Sequence, residues 1–266
     1  MRAGPLFEPR GPVAALAPCP DRSRRRAVKG RALHFYCIAG VVLASGIGLA
    51  APARAQLAGS IAIESDYRLR GFSLSDGRPV ATAQIAYDHS SGLYASAEGI
   101  VEFGRDEPFF LGVQGNIGYA KRLGPTLSMD LGLLRSQYRP SYYGGRAKHY
   151  TEAYAGLTFK QITGRIFLSP DYFRPGVTTL YGEIEGGLQP SPNWRLHAHL
   201  GTLIYLRTPD AGYYRDARYD WRVGASRQLG KFELHAALSG GGPSEHGSSA
   251  RRGSGTVLTG GASLNF

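Results

Sequence analysis

Two short runs hold the side chains best suited to chemistry. Glu183 and Glu185 recur at a spacing of two residues, as do Arg195, His197 and His199. In a strand that spacing puts each run on one face. The short segment 189–193 folds the runs into a hairpin, which places His197 and His199 opposite Glu185 and Glu183. Imidazoles and carboxylates in that arrangement can hold a metal ion. The same arrangement is also ordinary cross-strand pairing of opposite charges. His235 falls on a later strand and does not join as a third imidazole. A further run, Asp66-Tyr67-Arg68-Leu69-Arg70, puts Asp66, Arg68 and Arg70 on one face. Such a set can constrict a lumen, hold a loop inward, or form an ion-pair network that stiffens a wall.

Catalysis finds little support in these residues. A nucleophile needs its base within hydrogen-bond reach. His197 and His199 lie on the charged face, and neither adjoins a serine of the outward parity that a barrel lipid hydrolase would use. Asp130 and Glu152 share the inward face without a catalytic neighbour. Gly241-Gly242 and the glycine-rich 253–261 stretch are not followed by a helix, as a phosphate cradle would be. No cofactor, resident metal or covalent step is expected.

The elements that carry these residues are strands. Twelve are predicted, over about 57–68, 80–88, 93–103, 110–122, 127–138, 150–160, 162–170, 178–188, 194–206, 219–228, 231–240 and 255–266. Each is near the length a tilted transmembrane strand needs. The gaps alternate between short (His89–Gly92, Leu123–Thr126, Gln161, Gln189–Asn193, Leu229-Gly230) and long (Leu69–Pro79, Gly104–Phe109, Arg139–His149, Asp171–Val177, Arg207–Arg218, Gly241–Ser254). Outer-membrane barrels have this rhythm of short periplasmic turns and long extracellular loops. Leu93, Ala95, Ala97, Val101 and Phe103 share one face, against Ser96, Glu98 and Glu102. Charges on the lipid face cost a few kcal/mol near the midplane, so the charged faces should point inward. Tyr67, Tyr87, Tyr119, Phe159, Trp194, Tyr219, Trp221 and Phe266 sit near strand ends and suit aromatic girdles. The last strand closes on Leu264 and Phe266, the alternating pattern with terminal Phe expected of a signal for the barrel-assembly machinery.

Residues 1–55 read as a leader, and 56–266 as one barrel domain. Arg24, Arg25, Arg26, Lys29 and Arg31 precede an uncharged run over 33–50. Ala53 and Ala55 then form a small-x-small cleavage site before Gln56. The stretch before about residue 28 fits an over-long gene model. Both cysteines, Cys19 and Cys37, fall in the leader. Nine basic and two acidic residues of the leader leave only +4 of the +11 net charge for the remainder. The basic balance is therefore mostly targeting and gives no reason to expect a nucleic-acid partner.

Ser65-Asp66-Tyr67-Arg68-Leu69-Arg70-Gly71-Phe72-Ser73, followed by Asp88-His89-Ser90-Ser91-Gly92-Leu93-Tyr94, resembles the opening of the TorF family of porins. The family pattern has Phe and Ile where Leu69 and Phe72 stand here. The resemblance covers about the first forty residues of the barrel domain. It implies a Gram-negative outer-membrane location and a diffusion role without an established substrate. The expected fold is an all-β, antiparallel up-and-down transmembrane barrel. The expected function is passive passage of small hydrophilic solutes, with outer-membrane lipid and the assembly machinery as further partners. The alternatives are a plugged barrel that serves structure or surface contact and, third, a barrel lipid hydrolase. Inward carboxylates outnumber inward cations (Arg68, Arg70, Arg165, Arg195, Arg222, Lys231), so weak cation preference is expected.

Overall fold

The structure is a computed structural model. It describes residues 56–104, 107–139, 147–209, 217–243 and 255–266. Residues 1–55, with Cys19, Cys37, Ala53 and Ala55 and so the whole of the expected leader, and the segments 105–106, 140–146, 210–216 and 244–254 lie outside the described residues.

Fourteen strands are present and no helix among the described residues. Twelve of them close into one barrel. They are β1 (Gln56–Glu64), β4 (Val80–Asp88), β5 (Leu93–Glu102), β6 (Phe109–Arg122), β7 (Leu127–Tyr138) and β8 (Lys148–Phe159). The rest are β9 (Ile162–Ser169), β10 (Thr178–Ser191), β11 (Trp194–Arg207), β12 (Ala217–Leu229), β13 (Phe232–Gly242) and β14 (Val257–Asn265). Each is antiparallel to its sequence neighbour, and β1 closes the ring between β4 and β14. The remaining two strands, β2 (Arg68–Leu69) and β3 (Phe72–Ser73), pair only with each other.

The barrel is polar inside and apolar outside. Leu57, Leu200 and Leu258 are 69%, 65% and 70% exposed on the outer face, while the inward Tyr138, Tyr150 and Glu152 are at 0%. A soluble protein would hide the leucines; this exterior is matched to hydrocarbon. The outward Arg135 lies three residues from the end of β7 and donates to Thr151 Oγ1 at 2.7 Å. Near that rim a long cation reaches the headgroup level. Inside, large side chains lie over glycines of the neighbouring strand. Tyr154 faces Gly132 across the β7–β8 pair, and a Cβ at Gly132 would collide with its phenol. Flat packing of this kind lets bulky polar residues fit against the wall.

Short connections gather at one rim and long ones at the other, as the gap rhythm predicts. Several boundaries differ from expectation. The first strand ends at Glu64, not near Arg68, so Asp66, Arg68 and Arg70 leave the wall. Tyr67 goes with them into the interior, 1% exposed, and is no girdle residue. Lys231 is an exposed turn residue rather than an inward one, because β12 runs on to Leu229 and the two-residue turn falls one position later, at Gly230 (φ 65°) and Lys231. β10 runs on through Pro190 to Ser191, with a register shift between Leu188 and Ser191, so the turn to β11 is shorter than predicted.

Candidate lumen constriction

The segment between β1 and β4, residues 65–79, folds into the barrel as a hairpin. Arg70 at φ 47° and Gly71 at φ 79° make its tip. A left-handed Gly is unstrained there, and the Arg bears a penalty that its surroundings must offset. Asp66 organises the base of the hairpin. It accepts from Arg68 Nη1 at 3.0 Å, from Ser75 Oγ at 2.9 Å and from Ser73 Oγ. Tyr67 and Leu74 add a backbone bond of 2.7 Å.

The hairpin touches opposite walls. On one side the Tyr67 ring lies 6.1 Å from that of Tyr138 on β7. Leu69 and Leu74 join Ile100, Leu111 and Leu134 in a buried apolar cluster. Arg70 Nη2 donates to Glu152 Oε2 on β8 at 2.8 Å, with both side chains at most 3% exposed. Arg78 meets Glu102 on β5 at 3.2 Å. On the other side Gly71 packs against Asp220 and the backbone of Gly241, where a Cβ would meet atoms at 3.0–3.3 Å. The Arg218 guanidinium lies 3.4 Å from the centre of the Phe72 ring. The 170–177 connection adds Tyr172 and Phe173, each 4.8 Å from the Tyr150 ring.

Burial pushes the phenols of Tyr67 and Tyr172 above their ordinary range, so both stay neutral. Burial works against the charge on Arg70, but Glu152 together with Tyr172, Tyr150 and Tyr181 more than offsets that, so the guanidinium is held charged.

Below the hairpin lies a belt of ion pairs. Arg165 reaches Glu183 at 3.0 Å, Glu185 at 3.6 Å and Asp130 at 3.7 Å. His199 meets Asp220 at 2.8 Å through Nε2 and Glu185 at 3.5 Å through Nδ1, and Arg222 reaches Glu185 at 3.8 Å. Tyr181 donates to Asp220 at 3.1 Å, in space left by Gly201. Arg195 pairs with Glu233 at 3.8 Å, and His235 with Glu64 at 2.6 Å. Glu183, Glu185 and His199 could each offer one ligand atom within 4.8 Å of the others. Arg165 already lies between the two carboxylates as their cation, so the geometry is that of a charge network.

Neither predicted pair of the two runs forms: Glu185 faces His199 instead of His197, Glu183 faces Gly201, and His197 faces Gly187. The tighter turn moves the register by two residues, which brings His199 to Glu185. Asp66, Arg68 and Arg70 come together with Glu152 at the long-loop end of the lumen, where Tyr181 joins them to the His199–Asp220 part of the ion-pair belt. Tyr150, Phe167, Tyr172, Tyr181 and Arg218 were not among the expected site residues. The sequence marks them only by inward parity or, for Tyr172, by an aromatic pair in a loop.

Solvent access differs between the two ends. Inward residues at the hairpin level, such as Tyr138, Tyr150, Glu152 and Thr179, are buried. Toward the short-turn rim half-buried residues such as Gln84, Asp88, Ser96, Ser128, Arg195 and His197 alternate with buried ones such as Asp130, Thr158, Thr163 and Glu233. The interior is therefore a polar cup, filled at its long-loop end by the chain's own hairpin.

A family model described as "Bacterial protein of unknown function (Gcw_chp)" matches residues 50–240. Comparison with curated proteins gives no match. Among solved structures, the KdgM porin is similar with a TM-score of 0.49 at 11% identity, covering 79% of this chain and 99% of that one. The NanC porin gives 0.48 at 11%, with the same coverage of 79% and 99%. The toluene transporter TodX of Pseudomonas putida gives 0.39 at 10%, covering 81% and 88%.

Proposed function

Since the chain belongs to the Gcw_chp family of bacterial proteins of unknown function, its role has to come from the barrel itself, and we propose that it is a porin-like channel for small hydrophilic solutes. One observation carries this reading. The apolar exterior encloses a charged interior whose short-turn half keeps solvent contact at Asp88, Arg195 and His197. A barrel that only anchored itself in lipid would gain nothing from a hydrated, charged bore. Passage is by diffusion, with selection by bore and lumen charge. No covalent step is part of the reading. His89 and Ser91 are hydrogen-bonded at 2.8 Å in the β4–β5 turn, but the same ring nitrogen also receives the Ser91 backbone N–H, so the contact serves the turn.

The same reading places the barrel in the outer membrane of a Gram-negative cell, short turns toward the periplasm, after export by a leader that ends at Ala55. The Ser65–Ser73 motif supports assignment to the TorF porins. Aromatic residues at the rims, including Tyr87, Phe159, Trp194, Tyr219 and Phe266, are 43–59% exposed and suit the headgroup level.

A second reading, a closed barrel for structure or surface contact, is favoured by the hairpin that fills the outer half. Swelling of proteoliposomes in graded sugars separates the two. A channel gives swelling rates that fall with solute size; a closed barrel gives no swelling above protein-free liposomes.

A further inference from the structure

We propose, on the basis of the channel reading, that the lumen contains a recognition site for small organic cations bearing a guanidinium or quaternary ammonium group, with Arg70 as its tethered occupant. The Arg70 Cζ lies 4.0 Å from the centre of the Tyr181 ring, 5.1 Å from that of Tyr172 and 5.5 Å from that of Phe167. Its Nη2 donates to Glu152 at 2.8 Å. Three ring faces and one carboxylate form a box around a cation. Ring faces attract weakly hydrated, delocalised or alkylated cations, which shed water at low cost. Sodium, being strongly hydrated, gains little from them.

Two features make this a site rather than a fixed contact. First, no wall of the box belongs to the hairpin. Glu152 is on β8, Phe167 on β9, Tyr181 on β10 and Tyr172 on the 170–177 connection. The box therefore remains when the hairpin leaves, and its buried carboxylate is then short of a cation, a state that strongly favours capture of another. Second, the box has unused polar capacity. Glu152 Oε1 and Tyr150 Oη, both buried, make no hydrogen bond among the described residues. A free guanidinium, not bound to a hairpin backbone, can turn to use them.

The hairpin competes with any free cation for this box. A tethered group acts at an effective concentration on the order of millimolar. Free ligand therefore engages the wild type only in about that range, and its binding releases the hairpin from the outer half of the lumen. The ligand is thus both recognised by the channel and the signal that opens it.

Calorimetric titration of methylguanidinium chloride, and separately of tetramethylammonium chloride, into the detergent-solubilised protein processed after Ala55 tests this. Arg70→Ala should bind either probe at least tenfold more tightly than wild type. Adding Tyr181→Leu should remove that gain, while adding Tyr181→Phe should keep it, because Phe retains the ring face. Sodium chloride at matched ionic strength should give no comparable heat. Equal affinity in wild type and Arg70→Ala, or a gain that survives Tyr181→Leu, overturns the proposal. If Arg70→Ala yields no heat-modifiable barrel, Leu69→Cys in the otherwise wild-type chain gives the answer. Methylguanidinium should speed its reaction with a maleimide at least tenfold over sodium, and an unchanged rate overturns the proposal. Neither readout depends on conduction. Protein that binds but never conducts keeps the site and removes the channel reading; protein that conducts but does not bind does the reverse.

Discussion

Breaking the Arg70–Glu152 pair should release the hairpin, by an amount the geometry allows us to estimate. Both side chains are at most 3% exposed and meet at 2.8 Å. Removing one partner of a buried pair leaves an uncompensated charge and costs about 3–5 kcal/mol. The barrel strands do not depend on this contact, so the loss falls on hairpin docking. Each 1.4 kcal/mol is a factor of about ten in an equilibrium. The undocked population should therefore rise by roughly two to three and a half decades, until it becomes the major state. Leu69, at 2% exposure in the apolar cluster, reports the change. Both native cysteines lie in residues 1–55, so Leu69→Cys in a chain processed as proposed is the only reactive thiol. Its maleimide labelling should accelerate by that factor in Glu152→Gln and in Arg70→Met. The double variant Arg70→Met/Glu152→Met removes both charges together, and should label much closer to the parent rate than either single does. Unchanged labelling in both single variants, or effects that simply add in the double, would refute the latch.

Further outcomes follow from the seam, the lumen and the rims. Gly59 and Phe266 exchange two backbone hydrogen bonds, at 2.8 and 2.9 Å, across the β1–β14 closure, so deletion of Phe266 should lower the yield of heat-modifiable barrel in the outer membrane, as read by gel mobility of membrane fractions. Wild-type reversal potentials under a salt gradient should show weak cation preference at low salt that fades as salt screens the lumen. In Glu183→Gln/Glu185→Gln the Arg165 guanidinium keeps Asp130, at 3.7 Å, as its carboxylate partner among the described residues, and the preference should shift toward anions. Epitope tags within 244–252 should be reachable on intact cells and tags at 190–192 should not; the reverse pattern would invert the barrel.

The barrel was legible because lipid reverses the usual burial rule. Residues such as Leu93, Ala95 and Ala97 on one face and Ser96 and Glu98 on the other state the period and the direction of each strand. The sequence also separates short gaps from long ones, and with them the two rims. The hairpin was not legible by the same test. Asp66, Arg68 and Arg70 alternate as a wall strand would, and Tyr67 then falls on the expected girdle side. The signals that part the hairpin from the wall are local. Gly71 and Gly77 take positive φ, and Asp66 is followed by Ser73 and Ser75, which turn their hydroxyls back onto it. That the Glu and His runs share the inward face of one hairpin was legible, but their register was not, because Pro190 looks like the end of a strand that in fact continues to Ser191. The aromatic box was hidden for a different reason. Phe167, Tyr172 and Tyr181 lie in one β9–β10 hairpin, with Phe167 opposite Tyr181, but the Arg70 that they surround comes from the 65–79 segment, and nothing in the sequence ties the two together.

The central claim is that a conducting lumen is closed at one end by the chain's own hairpin. Planar-bilayer recording of the purified protein beside a variant lacking residues 66–76 tests it most directly. The account predicts brief, small conductance steps in the wild type and long, larger steps in the deletion variant, provided both run as heat-modifiable barrels. Folded deletion protein that inserts and stays electrically silent would contradict it.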